Sequence, residues 1–110
     1  METTNKIIKT FEVKLGITYY NQSFFNVSKK KSDYFGAHNS LIEIQLGDNY
    51  KNVIQCKINR TANNNGAPRI MGRKSLTDWI QKNYKLNDIL IVNILTNGSI
   101  RLNEKRKTNI

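Results

Sequence analysis

The segment 49–77 combines cationic and amide side chains and contains no acidic residue. Its six cations are Lys51, Lys57, Arg60, Arg69, Arg73 and Lys74. Residues 59–73 have almost no large apolar side chains, so this part of the chain cannot form a core of its own. Lysine and arginine attract phosphate of any sequence, whereas arginine and asparagine make paired hydrogen bonds to guanine and adenine edges. The segment therefore indicates a nucleic-acid partner, with duplex DNA as the first candidate.

The whole chain is strongly basic. Its 110 residues include 18 Lys and Arg against 8 Asp and Glu, which gives a formal net charge of +10. Repulsion between these charges opposes folding, and a polyanionic partner would offset it. A merely solvated basic surface, in a chain rich in asparagine and lysine, is the alternative interpretation of this composition.

Few residues are available for metal or redox chemistry. Cys56 is the only cysteine, and its place in an alternating apolar run predicts a buried, unreactive thiol with no internal disulfide. His38 is the only histidine and follows a probable helix-ending glycine by two residues, so we expect it in a loop. The two residues lie far apart in the sequence and form no zinc-ligand spacing. We expect neither a metal ion nor a cofactor.

Apolar segments in this chain are short. None approaches the ~20 residues of a membrane-spanning helix, and the first residues lack the apolar core of a secretory signal. The sequence therefore predicts a soluble, cytoplasmic protein.

Alternating apolar residues predict seven short strands. They cover residues 8–15, 24–27, 40–46, 52–60, 68–72, 89–95 and 99–102. Residues 17–23 between the first two strands are polar and aromatic, which predicts a loop or a protruding ribbon. The turn at 63–66 offers several residues that tolerate a positive φ.

Two short helices complete the predicted elements. One is expected at 29–35 with Ser28 as its N-cap, and the other at 75–83, where residues 75–78 resemble a capping box. The predicted fold class is mainly β (α+β), a seven-stranded open barrel with two short helices. We expect one domain over residues 1–110, with flexible tails at 1–7 and 104–110.

One stretch of the sequence carries a family resemblance. Residues 76–83 (LTDWIQKN) are followed by Leu86, Asn87, Asp88 and the apolar run at 89–92. With the order of the elements, this stretch resembles the DNA-binding pseudobarrel over residues 11–102. That fold is shared by plant B-three transcription-factor domains and by recognition domains of restriction endonucleases such as EcoRII and BfiI. Asn87 stands where the plant pattern has glycine, and asparagine also tolerates a positive φ.

The resemblance implies sequence-specific recognition of double-stranded DNA by two arms in the major groove. The first arm would be residues 18–23, supported by the lysines at 29–31, and the second would be residues 59–73. The amide-rich loops resemble the restriction-enzyme branch, which implies a target-recognition domain and a partner nuclease domain or subunit. The chain itself is then expected to be no enzyme and, as an isolated domain, a monomer.

Candidate DNA contacts divide into two groups by chemistry. Base contacts are expected from Asn21, Gln22, Asn59, Arg60, Asn63, Asn64, Asn65, Arg69 and Arg73. Backbone contacts are expected from Thr18, Tyr19, Tyr20, Ser23, Lys29, Lys30, Lys31, Lys57 and Lys74. One or two of the three consecutive asparagines are equally suited to shape the turn, and one of the two tyrosines to pack beneath the first arm. Trp79 shares a helix face with Leu76 and Ile80, which predicts a core position.

Two other functions compete with this interpretation. A basic barrel with exposed tyrosines also suits RNA or single-stranded nucleic acid. Alternatively, Asp48 followed by Gln55 and Lys57, with Glu43 as a second carboxylate, superficially resembles a small metal-dependent nuclease. The position of Asp48 in a predicted tight turn argues against that site.

Overall fold

The computed structural model describes residues 6–104. Within this range the strands are β1 (Ile7–Lys14), β2 (Phe24–Asn26), β3 (Leu41–Leu46), β4 (Val53–Asn59), β5 (Arg69–Met71), β6 (Ile89–Leu95) and β7 (Ile100–Leu102). The helices are α1 (Ile17–Asn21), a 3₁₀ helix (Lys29–Tyr34) and α2 (Lys74–Asn83). No helix in the described range has the length and apolar character that a membrane span requires.

All seven strands belong to one mixed sheet in the order β1-β6-β7-β3-β4-β5-β2. The β3–β7 pair is parallel and the other pairs are antiparallel. The sheet curls into an open half-barrel whose two ends are β1 and β2. The predicted fold class, a mainly β open barrel of seven strands with short helices, is confirmed.

The core lies on the concave side of this sheet because alternate strand residues point to one face. Its largest fully buried side chains include Phe25, Leu15, Ile44, Ile58, Ile70, Leu90, Ile94, Ile100 and Leu102. Helix α2 adds Leu76 and Ile80, which are buried, and Trp79 packs against the core from a partly buried position. The predicted core role of Trp79 is confirmed.

The short helices differ from their predicted forms. Residues 17–21, predicted as loop, form α1, where Asn21 Nδ2 donates to Ile17 O and Gln81 Nε2 donates to Tyr20 O. These contacts with its own first turn and with α2 override weak local propensity. The predicted helix at 29–35 is a 3₁₀ helix, and the side chain of its N-cap Ser28 makes no capping bond.

The predicted capping box of α2 is wrong. The helix begins at Lys74 with Arg73 as its N-cap, so Ser75 lies inside the first turn, and no side chain caps the helix. At the N-terminus, β1 begins at Ile7, which lies inside the flexible tail predicted for residues 1–7. Residues 1–5 and 105–110 of the predicted tails lie outside the described range.

Candidate nucleic-acid interface

The orientation of β4, β5 and β2 follows from one buried row. Ile58 pairs with Ile70, which pairs with Phe25, and the exposed fractions of these three side chains are 1%, 0% and 1%. The row therefore points into the core. Neighbouring residues on each strand must point to the opposite, convex face of the sheet.

Two rows of side chains occupy that convex face. Lys57, Met71 and Phe24 form one row, and Asn59, Arg69 and Asn26 form the other. We call this surface the amide–arginine face. It brings two of the predicted DNA-contacting cations, Lys57 and Arg69, to one side of the sheet. Arg73 lies just beyond β5 and is exposed.

Arg69 is held in place from two directions. Its guanidinium carbon lies 4.4 Å from the centroid of the Phe24 ring, and its Nε donates to Asn26 Oδ1 over 2.9 Å. Within residues 6–104, neither of its Nη atoms donates a hydrogen bond. The bond from Nε fixes the guanidinium, and its two terminal nitrogens make no hydrogen bond among the described residues.

Asn26 connects Arg69 to the asparagine-rich loop. Its Oδ1 also accepts a hydrogen bond from Asn63 Nδ2 at 3.1 Å. The same residue lines three adjacent hollows of about 430, 540 and 420 Å³. The sequence analysis missed Asn26, and its only signal is that an amide is unusual in a short strand.

The loop between β4 and β5 is shaped by its own amides. Asn59 Oδ1 accepts from the backbone nitrogens of Thr61 and Ala62, and Asn65 Oδ1 accepts from Ala67 N. Asn63 Nδ2 donates to Ala67 O as well as to Asn26. Gly66 takes the positive φ of 76° that the turn requires. Three of the predicted base-contacting asparagines therefore build the loop.

Asn64 differs from its neighbours in this loop. It is exposed, and its side chain has no hydrogen-bond partner among residues 6–104. It lines the 430 Å³ hollow with Asn26 and Lys29. Of the asparagines predicted from the second arm, it is the one whose amide makes no hydrogen bond among residues 6–104.

The guanidinium of Arg60 makes five hydrogen bonds within the chain. Nε donates to Gly36 O at 2.7 Å, and Nη2 donates to Ser32 O at 2.9 Å and Phe35 O at 2.8 Å. Nη1 donates to Ser32 Oγ at 2.6 Å and to Gly66 O at 3.3 Å. Its donors are used to join the loop to the 3₁₀ helix. In this arrangement the group is unavailable for the base contact that the sequence analysis predicted.

The 3₁₀ helix carries three consecutive lysines, of which Lys29 lies beside the loop. Lys29 and Lys30 are exposed, and Lys29 lines the same hollow as Asn63 and Asn64. Lys31 Nζ lies 5.9 Å from the centroid of the Phe11 ring and lines the 540 Å³ hollow. This cluster is suited to phosphate contacts because flexible ammonium groups recognise charge without demanding a fixed geometry.

The predicted first arm is a compact helix rather than a projecting ribbon. Tyr19 packs edge-on against Phe24 with ring centroids 5.7 Å apart, and Tyr20 Oη donates to Tyr84 O at 2.9 Å. Both tyrosines therefore pack against the core, whereas both were predicted as DNA-backbone contacts, with packing of one of them as the alternative. Thr18 is exposed and shares the 420 Å³ hollow with Arg69.

The remaining first-arm residues divide between structure and surface. Ser23 Oγ is hydrogen-bonded to Thr77 Oγ1, and Asn21 is engaged within α1 and by Gln81. Gln22 is exposed beyond the end of α1. The arm thus contributes Thr18 and Gln22 as accessible polar groups.

Other predicted residues also have identified surroundings. Lys74 forms an exposed ion pair with Asp78 at 2.9 Å, so its charge is partly neutralised. His38 Nδ1 accepts from Arg60 N at 3.0 Å, which agrees with its expected loop role. Cys56 is buried, and burial raises the pKa of its thiol to about 11, so the predicted unreactive thiol is consistent with its surroundings.

Positive charge predominates around the three hollows. Their lining includes Lys14, Lys29, Lys31 and Arg69, against Glu12 as the acidic residue. Because the hollows share Asn26, they adjoin one another between α1 and the asparagine-rich loop, and their lining mixes polar and apolar side chains. We call this surface, together with the amide–arginine face, the basic face.

The residues of the alternative nuclease site are dispersed. Glu43 pairs with Gln55 on the convex side of the β3–β4 hairpin, whereas Asp48 lies in the turn that follows β3. Among residues 6–104, no group of three or more His, Cys, Asp or Glu side chains is close enough to hold a metal ion.

No protein-family model and no curated protein matches the sequence.

Proposed function

We propose that this protein binds double-stranded DNA through the basic face and recognises its sequence. The observation that carries the proposal is the continuity of this surface. It joins the exposed cations of the 3₁₀ helix, the accessible amide of Asn64 and the anchored guanidinium of Arg69 around one residue, Asn26. Phosphate-binding and base-contacting side chains must lie side by side in this way to engage one groove.

The division of labour follows from side-chain mobility. Lys29 and Lys30 are exposed on flexible stems, so they suit the phosphates and contribute affinity at any sequence. Arg69, Arg73, Asn64 and Gln22 carry planar donor groups or amides that suit base edges in the major groove. Arg60, Asn59, Asn63 and Asn65 support the loop, which limits how far it moves before binding.

The resemblance to the DNA-binding pseudobarrel suggests which larger system the proposed DNA-binding activity serves. A recognition domain of this kind would deliver a nuclease domain or subunit to its target sequence and would need no metal ion itself. On this proposal the purified chain retards duplex DNA without cutting it when magnesium is added. Robust cleavage by the chain alone would contradict the division between recognition and catalysis.

The decisive experiment compares three polymers at two salt concentrations. Fluorescence anisotropy with matched duplex DNA, single-stranded DNA and RNA should show the tightest binding to duplex DNA, with affinity falling as salt rises. Tighter binding to RNA or to the single strand would contradict the proposal and favour a single-strand-binding barrel, for which aromatic stacking is the usual basis.

A charge-matched pair of variants locates the surface. Lys29→Ala removes a cation that lines the 430 Å³ hollow of the basic face, and Lys51→Ala removes one from the β3–β4 turn at the far end of β4. The first variant should weaken duplex binding more than the second, although both change the net charge equally. Equal losses would show that binding depends on net charge and not on this surface.

A further inference from the structure

We infer that Arg69 contacts one guanine of the bound duplex and that Asn26 is the residue that positions it. This inference rests on the proposed function and adds the identity of a base in the target. It also assigns a role to Asn26, which makes contacts only inside the protein in the present structure.

The geometry of Arg69 selects the class of base. With Nε donating to Asn26 and the guanidinium carbon 4.4 Å from the Phe24 ring centroid, the two Nη atoms are left as a coplanar pair of donors. Guanine presents two acceptors, O6 and N7, on its major-groove edge, and this edge matches such a fork. Adenine presents an acceptor beside a donor, so one N–H of the fork would face another N–H.

The orientation of Asn26 is fixed by chemistry. Arginine Nε only donates, so the amide oxygen of Asn26, and not its nitrogen, must face Arg69. The same oxygen accepts from Asn63, which ties the base-contacting group to the loop that carries Asn64. Ordering the arginine before binding reduces the conformational entropy that is lost on contact.

The other two arginines of the segment lack this combination. Arg60 uses its donors on backbone carbonyls and Ser32, whereas Arg73 is exposed and has no hydrogen-bond partner among residues 6–104. One group is therefore occupied and the other is free to move. Arg69 alone among the three is both anchored and open at its fork.

The test begins with selection of duplexes from a library with a randomised centre, using the unaltered chain. The selected sequences should share a guanine at one position. Replacing that base by 7-deazaguanine removes the N7 acceptor but keeps base pairing, and it should weaken binding about tenfold, the lower end expected for losing a paired contact. The same replacement at other guanines should have little effect.

Variants then assign the residues. The measured quantity is the ratio of affinities for the selected duplex and for the same duplex with adenine in place of that guanine. Arg69→Lys and Asn26→Ala should each lower this ratio about tenfold, while binding to unrelated duplex changes little. Asn26→Asp keeps the acceptor oxygen, so it should retain most of the preference even though its added charge lowers affinity for every duplex.

The outcomes separate the inference from the proposed function. If the chain selects duplexes but they share no guanine, or if Asn26→Ala leaves the ratio unchanged, the inference is overturned and duplex binding stands. If no duplex is retained, the proposed function fails and the inference with it. Thermal melting of each variant identifies any that do not fold, and the 7-deazaguanine result with the unaltered chain then decides.

Discussion

Arg60 and Arg73 carry the same side chain but contact different surroundings. The first donates to three backbone carbonyls in the 3₁₀ helix and the turn after it, whereas the second is exposed at the start of α2. Every residue has a backbone carbonyl, so the sequence does not show which carbonyls accept hydrogen bonds from Arg60. It places Arg60 and Arg73 in the same acid-free segment but does not distinguish their contacts.

We expect Arg60→Ala to destabilise the protein and Arg73→Ala to leave its stability almost unchanged. Without the Arg60 guanidinium, several backbone carbonyls lose their hydrogen-bond donor, which should lower the free energy of unfolding by about 2 kcal/mol. The exposed arginine should change it by less than ~0.5 kcal/mol. Urea titrations of the two variants measure the difference. Equal stabilities would mean that Arg60 does not hold the loop to the 3₁₀ helix.

Two buried groups, the Cys56 thiol and the Tyr84 phenol, make the free energy of unfolding depend on pH in the alkaline range. Burial raises the pKa of the Cys56 thiol to about 11 and of the Tyr84 phenol to about 12, and for Tyr84 the nearby Asp88 and Glu104 add to the effect. The folded protein keeps these protons after the unfolded chain has lost them. Their contribution is therefore fully present below about pH 9 and is lost as pH rises towards the folded values.

Tyr84→Phe and Tyr50→Phe form a matched test of this dependence, because each removes one phenolic oxygen and Tyr50 is 74% exposed. Tyr84→Phe should show a smaller loss of melting temperature between neutral and strongly alkaline pH than the unaltered chain. Tyr50→Phe should follow the unaltered chain. Parallel alkaline curves for all three proteins would contradict the assignment to Tyr84.

At the scale of elements, the junction between β5 and α2 is tightly packed. A Cβ added at Gly72 would lie 2.4 Å from Leu76 Cδ2, 2.8 Å from Leu76 Cβ and 3.1 Å from Ser23 O. The nearest of these atoms belong to a fully buried leucine of α2, and the third is backbone of the segment before β2. Glycine therefore sets how closely α2 approaches the sheet.

Gly72→Ala should destabilise the protein by about 1–3 kcal/mol, as expected when a packed site must take an extra methyl group. Gly16→Ala is the control, because Gly16 has a φ of −63° and no atom within 4 Å of the added Cβ. The control should cost less, about 0.5 kcal/mol, because Gly16 is the N-cap of α1 and alanine is less favourable there than glycine. Denaturant unfolding of both variants measures the contrast, and a neutral Gly72→Ala would show that α2 shifts to make room.

Strands were more predictable than helices in this chain. Ile42, Ile44 and Leu46 alternate strictly, and such alternation has one good explanation, a half-buried strand. Helix α1 has no comparable signal, because its five residues lack apolar periodicity and it bonds to Gln81, 60 residues away from Asn21. Contacts between distant segments cannot be inferred from local composition.

At the scale of the whole molecule, the excess of positive charge predicts strong salt dependence of binding. Each phosphate contact contributes about 0.9 to the slope of log affinity against log salt for duplex DNA. Lys29→Ala should therefore reduce the slope by about 1, and Lys51→Ala should leave it nearly unchanged. Binding isotherms over a salt series check this, and an unchanged slope for Lys29→Ala would exclude Lys29 from phosphate contact.

The sequence indicated which segment supplies the candidate site, but not the contacts within that site. An acid-free, amide-rich segment marks a polar surface regardless of how the chain folds, and this segment supplies Arg69, Arg73 and Asn64. Asn26 lies 43 residues from Arg69, and only the pairing of β2 with β5 brings them together. The contacts that Asn26 makes depend on strand register, which composition does not specify.

The position of β7 has a consequence for biosynthesis. This three-residue strand lies between β6 and β3, so it is the only link within the sheet between the β1–β6 ribbon and the strands β3, β4, β5 and β2. Until the ribosome has released Leu102, the nascent polypeptide has two unjoined sub-sheets with open edges. The sheet therefore cannot be completed before Leu102 has left the ribosome, and the unpaired strand edges of the incomplete sheet are prone to aggregation.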